Sequence, residues 1–584
     1  MRTTLISCAA VLTLGCGEPA GPHSTSHTLS ITASETWTLA ESPHVVHGRL
    51  SVRGTLTIEA GATVLFADTS GLTFGKYGAG SLRAQGSASA PIVMRGMDTA
   101  GSPGAWIGLT FLGSTPSEMH HVSVSSCGRE RTDSQPPGCL VLGSRFIPGD
   151  DPTLFIDHVT VQDAAGGAVI LQRESRFGAG SEALSVRNVR GHIATLPAGE
   201  TARFPLAGTF AGIDTSQVRL THDTLRDSLT WARDIPWTVL EPVLIEGPHQ
   251  PVLTIPAGAT LLMKGGFIVG KNAPGGLQIG TEGGPTVTLR PVDESWGGVD
   301  FLPYAISSAI SDALLDHCGA NIEARGSGCV HIWGDYAGSG PVPAPVFKNV
   351  SIRDAVDIGV GLNYGGRFGA GSTNLTITGT NGTTGTPFFV HMSPLSSIPA
   401  GHYAGNLRDV IWTYQLEIRQ DETWHKYDIP YFNYGGVWVG DSTTHPTLTV
   451  DPGVTMAFTG AGALSIGWTA PGAIRAVGTV ADPVTFTGET DTPGSWTGIV
   501  IGPYADSSSV FDHVVVANGG APYPVSGAFH FYVDIGAVIR NTVIRHSAGC
   551  GVIIVNQPPW STDFTAPVLG NTFESNAGAA QCGP

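Results

Sequence analysis

Three copies of one ordered set of short motifs run through this 584-residue chain. A repeat of that length constrains the fold more than any other feature, because each copy must bury its apolar face against something that also repeats. Thr36-Trp37, Thr230-Trp231 and Thr423-Trp424 open the copies at nearly equal spacing. TIEAGAT (57–63), TIPAGAT (254–260) and TVDPGVT (449–455) follow. GAWIGLTF (104–111) then matches GSWTGIVI (494–501), with the looser SWGGVDFL (295–302) between them. VQDAAGGAVIL (161–171), IRDAVDIGVGL (352–362) and IRHSAGCGVII (544–554) come later, and RFGAGS occurs at 176–181 and 367–372. The copies therefore span 35–228, 229–421 and 422–584, the last of them shorter.

Within a copy, runs such as Leu56-Thr57-Ile58, Leu72-Thr73-Phe74, Ile92-Val93-Met94 and Val122-Ser123-Val124 read apolar–polar–apolar. That period puts two side chains on one face of a strand. Turn residues separate these runs, no helical period of useful length occurs, and the class is all-β. Tandem β-sandwiches and a solenoid of short strands both satisfy the spacing. The strands are short and glycine stands at nearly every bend (79 glycines in all), which favours the solenoid. An immunoglobulin-type Cys…Trp…Cys pattern is absent. The succession TW, LTI-x-x-G-A-T, PIVM (91–94) and G-x-W-x-G resembles bacterial right-handed parallel β-helix repeat proteins over most of 35–584. That resemblance implies a β-helix and leaves activity open, since the fold hosts lyases, hydrolases, adhesins and binding proteins.

At the N-terminus Met1-Arg2 precedes an apolar run, Leu5 to Leu14, which is too short for a membrane span but suits a signal peptide core. With Gly15-Cys16 it resembles a bacterial lipoprotein signal. The resemblance implies cleavage after residue 15, lipidation of Cys16, and export to the outer membrane or cell surface. Residues 16–34 are rich in Gly, Pro, Ser and Thr and read as a flexible tether.

Six cysteines follow, an even number in an exported chain. Cys127 and Cys139 bracket one polar loop, and Cys318 and Cys329 bracket its counterpart in the second copy, so each pair is expected to form a disulfide. Cys550 and Cys582 are left to pair at the C-terminus. The third copy has Asn518-Gly519 at the corresponding place.

The net charge is −17, and Lys76, Lys264, Lys271, Lys348 and Lys426 are scattered. A nucleic-acid partner needs a basic stripe, which is absent, and the membrane is reached only through the lipid anchor. A polysaccharide or cell-surface glycan remains as partner. Asp-His recurs at Asp157-His158, Asp316-His317 and Asp512-His513. FIDH (155–158) is similar to a pectate-lyase strand whose aspartate helps bind calcium. Phe155 replaces that family's tryptophan, however, and its arginine motif R-x-P-x-x-R has no match here. The pairs do not share one repeat position; His121, Asp312 and His513 correspond instead, and all read as strand-end residues facing solvent. Glu130, Asp133, Asp150, Asp151, Asp157 and Asp163 are candidate calcium ligands, being hard oxygen donors near one loop. No other cofactor is expected. Tyr427, Tyr431, Phe432, Tyr434 and Trp438 either pack or stack sugar rings, with packing the first reading. G-x-S-x-G, H-E-x-x-H and Walker motifs are absent, and no catalytic residue is assigned. The expected function is a non-enzymatic, surface-anchored β-solenoid that binds glycan or scaffolds the envelope. A β-helix polysaccharide lyase or glycoside hydrolase is the alternative.

Overall fold

The computed structural model describes residues 24–98, 100–132, 135–143, 151–320, 326–336, 340–521, 526–534, 536, 538–555 and 562–583. Residues 1–15, Cys16, Asp133 and Asp150 lie outside them. Strands make up 49% of the chain and helix 3%, and the ladders are parallel, as in a parallel β-helix. Contacts gather the chain into two compact units, one ending at Val218 and one beginning at Arg219. The later two sequence copies thus share a unit.

In the first unit each turn of the solenoid lays down three short strands, and each strand pairs with its counterpart one coil on. One face runs through Thr55–Glu59, Ser81–Gln85, Ser117–Ser125 and Thr153–Ala164. A second joins Thr63–Phe66 and Ile92–Gly96 to the later halves of Ser117–Ser125 and Thr153–Ala164 and to the first half of Glu182–Pro197. The third runs through Arg49–Val52, Gly71–Phe74, Gly108–Phe111, Gly138–Leu142 and Gly167–Leu171. Parallel register places like residues above one another, so the inward positions form columns. Val64, Met94, Val124, Val161 and Val186 make one such column, and all are fully buried. Each coil therefore buries its aliphatic face against the next, as a solenoid requires.

The second unit uses the same construction. Val299, Val330, Val360, Phe388, Ile411, Tyr431 and Met456 stack in register, and the column passes unbroken from the second copy into the third. The motifs shared by the copies adopt one local structure. In TIEAGAT and its two counterparts a strand ends, a glycine turns with positive φ (Gly61 81°, Gly258 78°, Gly453 78°), and a new strand begins at the closing threonine. The tryptophans of the G-x-W-x-G-type motif are also equivalent. The indole N–H of Trp106, Trp296 and Trp496 donates to the carbonyl of Ser125 (2.7 Å), Asp316 (2.8 Å) and Ala517 (2.8 Å). Each carbonyl lies just before a corner.

Those corners are made by single residues in left-handed conformation. His121 (φ 46°), Asp312 (48°) and His513 (52°) form one corner in the three copies, which agrees with their correspondence in sequence. Ser126 (61°), His317 (51°) and Asn518 (63°) form the next. Asp157-His158 and Asp512-His513 belong to the first corner and Asp316-His317 to the second, so the three pairs are not equivalent. Asn and Asp tolerate this conformation better than most residues. The corner column Asp312, Asn349, Asn374 shows an added stabilisation. Asn349 donates through Nδ2 to Asp312 (3.2 Å), and Asn374 donates to Asn349 (2.8 Å).

All three expected disulfides are present: Cys127–Cys139, Cys318–Cys329 and Cys550–Cys582. The first two join the residue after the second corner to the strand beginning at Gly138 or Gly328.

Candidate functional site

In the second unit, strands Ile358–Asn363, Thr386–His391, Ile411–Ile418 and Tyr431–Val439 lie side by side. Their inward residues are aliphatic, aromatic or paired polar; Asn433 donates through Nδ2 to the Thr413 hydroxyl at 2.9 Å inside the coil. Alternation sends the intervening residues outward; they are Gly361 and Asn363 on the first of these strands and include paired rings on the other three. Phe389, Trp412 and Phe432 form one outward column, and His391, Tyr414 and Tyr434 form a second.

Ring distances follow the coil spacing. Trp412 and Phe432 are 5.1 Å apart, His391 and Tyr414 5.4 Å, and Tyr414 and Tyr434 5.9 Å. The second column continues over earlier coils through Tyr364, which is 5.1 Å from His391, to Trp333 and Tyr336 at 5.6 and 5.0 Å. The Arg408 guanidinium sits 5.2 Å from the Trp412 ring centre. The ends of the strip are open: Tyr336 is 81% exposed and Tyr434 52%. Burial lowers the His391 imidazole from its ordinary pKa.

The sequence-derived aromatic cluster divides in the structure. Tyr427 and Tyr431 are packing residues; their hydroxyls donate to the Ile398 and His425 carbonyls, and burial raises both phenols. Phe432 and Tyr434 belong to the strip, and Trp438 is 40% exposed. Trp333, Tyr336, Tyr364, His391, Trp412 and Tyr414 were not anticipated. Their signal is aromatic spacing of two (Phe389/His391, Trp412/Tyr414, Phe432/Tyr434) on strands that pair in register. Solenoid geometry does not itself call for these rings. On the equivalent face of the first unit the column Thr73, Thr110, Val141 and Ile170 carries no ring, and its last three members are buried.

Near this face an open groove of about 940 Å³ is lined by Phe368, Ile398, His425, Lys426, Asp428 and Asp451, among others. Its charged groups already have partners. His425 meets Asp451 at 2.8 Å, His402 meets Asp428 at 2.6 Å, and Lys426 meets Asp482 at 2.6 Å. Asp428 also accepts the Tyr403 amide.

The described carboxylates proposed for calcium do not converge. Asp151 pairs with Arg176, Asp163 accepts from Asn188, and Asp157 lies among imidazoles. Two clusters with metal-ligand composition occur among the described residues: His121, Asp157 and His158, and Asp316, His317 and Asp354. Comparison with family models, curated proteins and solved structures finds no match.

Proposed function

We propose that this chain is an exported, lipid-anchored β-helix of three tandem copies that holds a polysaccharide or cell-surface glycan against the aromatic strip that runs from the second copy into the third. The two outward aromatic columns carry this reading. A row of partly exposed rings, stacked at Tyr414 and Tyr434 and tilted or edge-on elsewhere, offers apolar faces with polar hydroxyl tips, a surface suited to the C–H faces and hydroxyls of sugar rings. Successive coils repeat the offer at the strand spacing, so an extended chain gains from many weak contacts at once. The lipoprotein-type signal ending in Gly15-Cys16 supplies the address and the anchor.

Affinity electrophoresis of the full chain against neutral and acidic polysaccharides tests the reading. Trp412→Ala with Tyr434→Ala should weaken the retained glycan about 10- to 100-fold, taking roughly 1 kcal/mol per ring. Melting should change little. Failure of the whole panel to bind, or equal binding by the variant, refutes the proposal. Cys16→Ser should move the protein out of the membrane fraction.

The groove at His425, Lys426, Asp428 and Asp451 supports a second reading, a β-helix lyase or glycosidase, because it gathers acids with a lysine. His425 and Asp451 pair with each other, Lys426 with Asp482 and Asp428 with His402, which makes this the weaker reading. Incubation with polygalacturonate, alginate and glycosaminoglycans, with calcium added, decides it by release of unsaturated or reducing ends.

A further inference from the structure

The cluster at the first corner of the first unit has a composition that the fold does not demand. His121 and His158 occupy one corner position on successive coils, fixed by the pairs His120↔Asp157 and Val122↔Val159 on either side. Their rings stack at 4.7 Å and 19°. Asp157, the last residue before the second histidine, meets His158 Nδ1 at 2.5 Å and His120 Nδ1 at 3.2 Å. One donor atom each from His121, Asp157 and His158 lies within 4.8 Å of the others. The side chains of Asp157 and His120 are about a quarter and a third exposed, and that of His158 is 56% exposed, so an ion can enter.

Elsewhere this corner position holds Asp312, Asn349 and Asn374 in the second copy, a single histidine, His513, followed by Asn541 in the third, and Ala183 on the coil after His158; two histidines in succession occur at His121 and His158. Histidine adds nothing to such a corner that asparagine lacks, except an imidazole. The other candidate cluster differs in one decisive respect. Arg353 bonds to Asp316 at 2.9 Å and lies 3.6 Å from Asp354, so a guanidinium already supplies the cation there. Both ion-pair partners of Asp157 are imidazoles.

We propose that His121, Asp157 and His158 form a surface site for a borderline divalent metal ion of the zinc, nickel or copper class. Two imidazole nitrogens and one carboxylate oxygen suit such ions and not calcium, which selects oxygen donors. Three protein ligands leave a position for water or a ligand atom from a bound partner. His120 is a positioning residue. It holds the second Asp157 oxygen, as outer partners of metal ligands commonly do.

The test uses the full chain, stripped with chelator and titrated with zinc chloride by calorimetry and equilibrium dialysis. One zinc per chain is expected in the tightest class. His121→Asn and His158→Asn should each weaken that class at least about tenfold, since loss of a ligand removes more than the 1.4 kcal/mol that a factor of ten represents. Asparagine keeps the corner, as it does at Asn349, Asn374 and Asn541. Asp316→Asn should leave zinc affinity unchanged, and calcium should not compete at equal concentration. Wild-type zinc binding by both histidine variants, no saturable binding, or equal affinity for calcium overturns the proposal. Should a variant melt early, the native chain provides the reading. Zinc must protect His121 and His158 from diethyl pyrocarbonate, as mapped by peptide mass, and no protection at these two residues counts against the site.

Discussion

The third copy lacks the corner disulfide of the other two, yet it keeps the place for one. In the first copy the left-handed Ser126 is followed by Cys127 and then Gly128 with φ 80°. His317, Cys318 and Gly319 (φ 102°) repeat the arrangement, and Asn518, Gly519 and Gly520 (φ 89°) complete it with glycine in place of cysteine. The partner cysteines follow a strand-opening glycine at Gly138-Cys139 and Gly328-Cys329; the counterpart is Gly527-Ala528. A Cβ built on Gly519 lies 3.6 Å from the Ala528 Cβ. Disulfide-bonded cysteines have Cβ atoms about 3.5–4.5 Å apart, so Gly519→Cys with Ala528→Cys should oxidise without moving the backbone far. The same Cβ comes within 3.2 Å of the Ala528 Cα, a close contact that offsets part of the gain. Closing a loop of roughly ten residues stabilises by about 2.7 kcal/mol in the chain-entropy treatment, so about 2 kcal/mol is the expected net. The assay is urea unfolding of wild type and double variant, each oxidised and reduced. Comparing the four curves removes the contribution of the native disulfides, and Gly519→Cys alone gives the steric cost. Thiols that stay titratable in the oxidised, denatured variant would refute the equivalence of the three corners. So would a variant whose advantage survives reduction.

Three further outcomes follow from single positions. Trp37 and Trp424 donate to Glu35 (2.8 Å) and Glu422 (3.3 Å) two residues earlier, but the buried Trp231 Nε1 has no partner among the described residues and Leu229 stands two residues before it. Leu229→Glu should therefore raise stability by about 1 kcal/mol in urea unfolding, the usual worth of satisfying a buried donor. Glu422 keeps an edge at the surface, but its carboxyl is packed in, and burial pushes it up to about 7 despite the Leu395 amide at 2.7 Å. A raised carboxyl favours the folded state while protonated. Its contribution is full below pH 4.5 and is lost as pH rises toward 7, up to about 3 kcal/mol. Glu422→Gln should flatten that part of the stability–pH profile, and an unchanged slope excludes Glu422 as its source. Asn349→Ala forces alanine into a φ of 53° and cuts both rungs of the Asp312–Asn349–Asn374 column. A loss of about 2 kcal/mol in thermal unfolding is expected, with Asn349→Gly losing less.

The columns of the core were legible because their cause is local. Apolar–polar alternation assigns each side chain to a face, and the repeated glycines mark the bends, so Val64, Met94 and Val124 announce themselves. The two corner disulfides were legible for a related reason: two cysteines at one place in two copies need only the copies to fold alike. The aromatic strip was less visible. Trp412 and Tyr414 form a surface only with Phe432 and Tyr434, and that depends on which coil pairs with which. The interval between paired residues varies, from Ile411↔Tyr431 to Met119↔Ile156, because loops of different length leave the coil between strands. The same variation hid the meeting of His121 with Asp157 and His158, which lie one coil apart. It also explains why six carboxylates near one loop read as a cation site although the described ones among them separate.

Repetition also shows where function is carried. A position that every copy fills in the same way, such as the indole donating to a corner carbonyl, answers to the coil. A position that one copy fills differently answers to something else, provided the coil tolerates the ordinary residue. Phe389, Trp412 and Phe432 depart in this way from Gly361, which precedes them in the same column. The corner that accepts Asp or Asn in the second copy and one histidine, His513, before Asn541 in the third meets that condition as well, because the first copy stacks two histidines there. In both places the departing side chains reach solvent. Both therefore point outward, one toward an extended chain with apolar ring faces and the other toward an ion that seeks nitrogen donors.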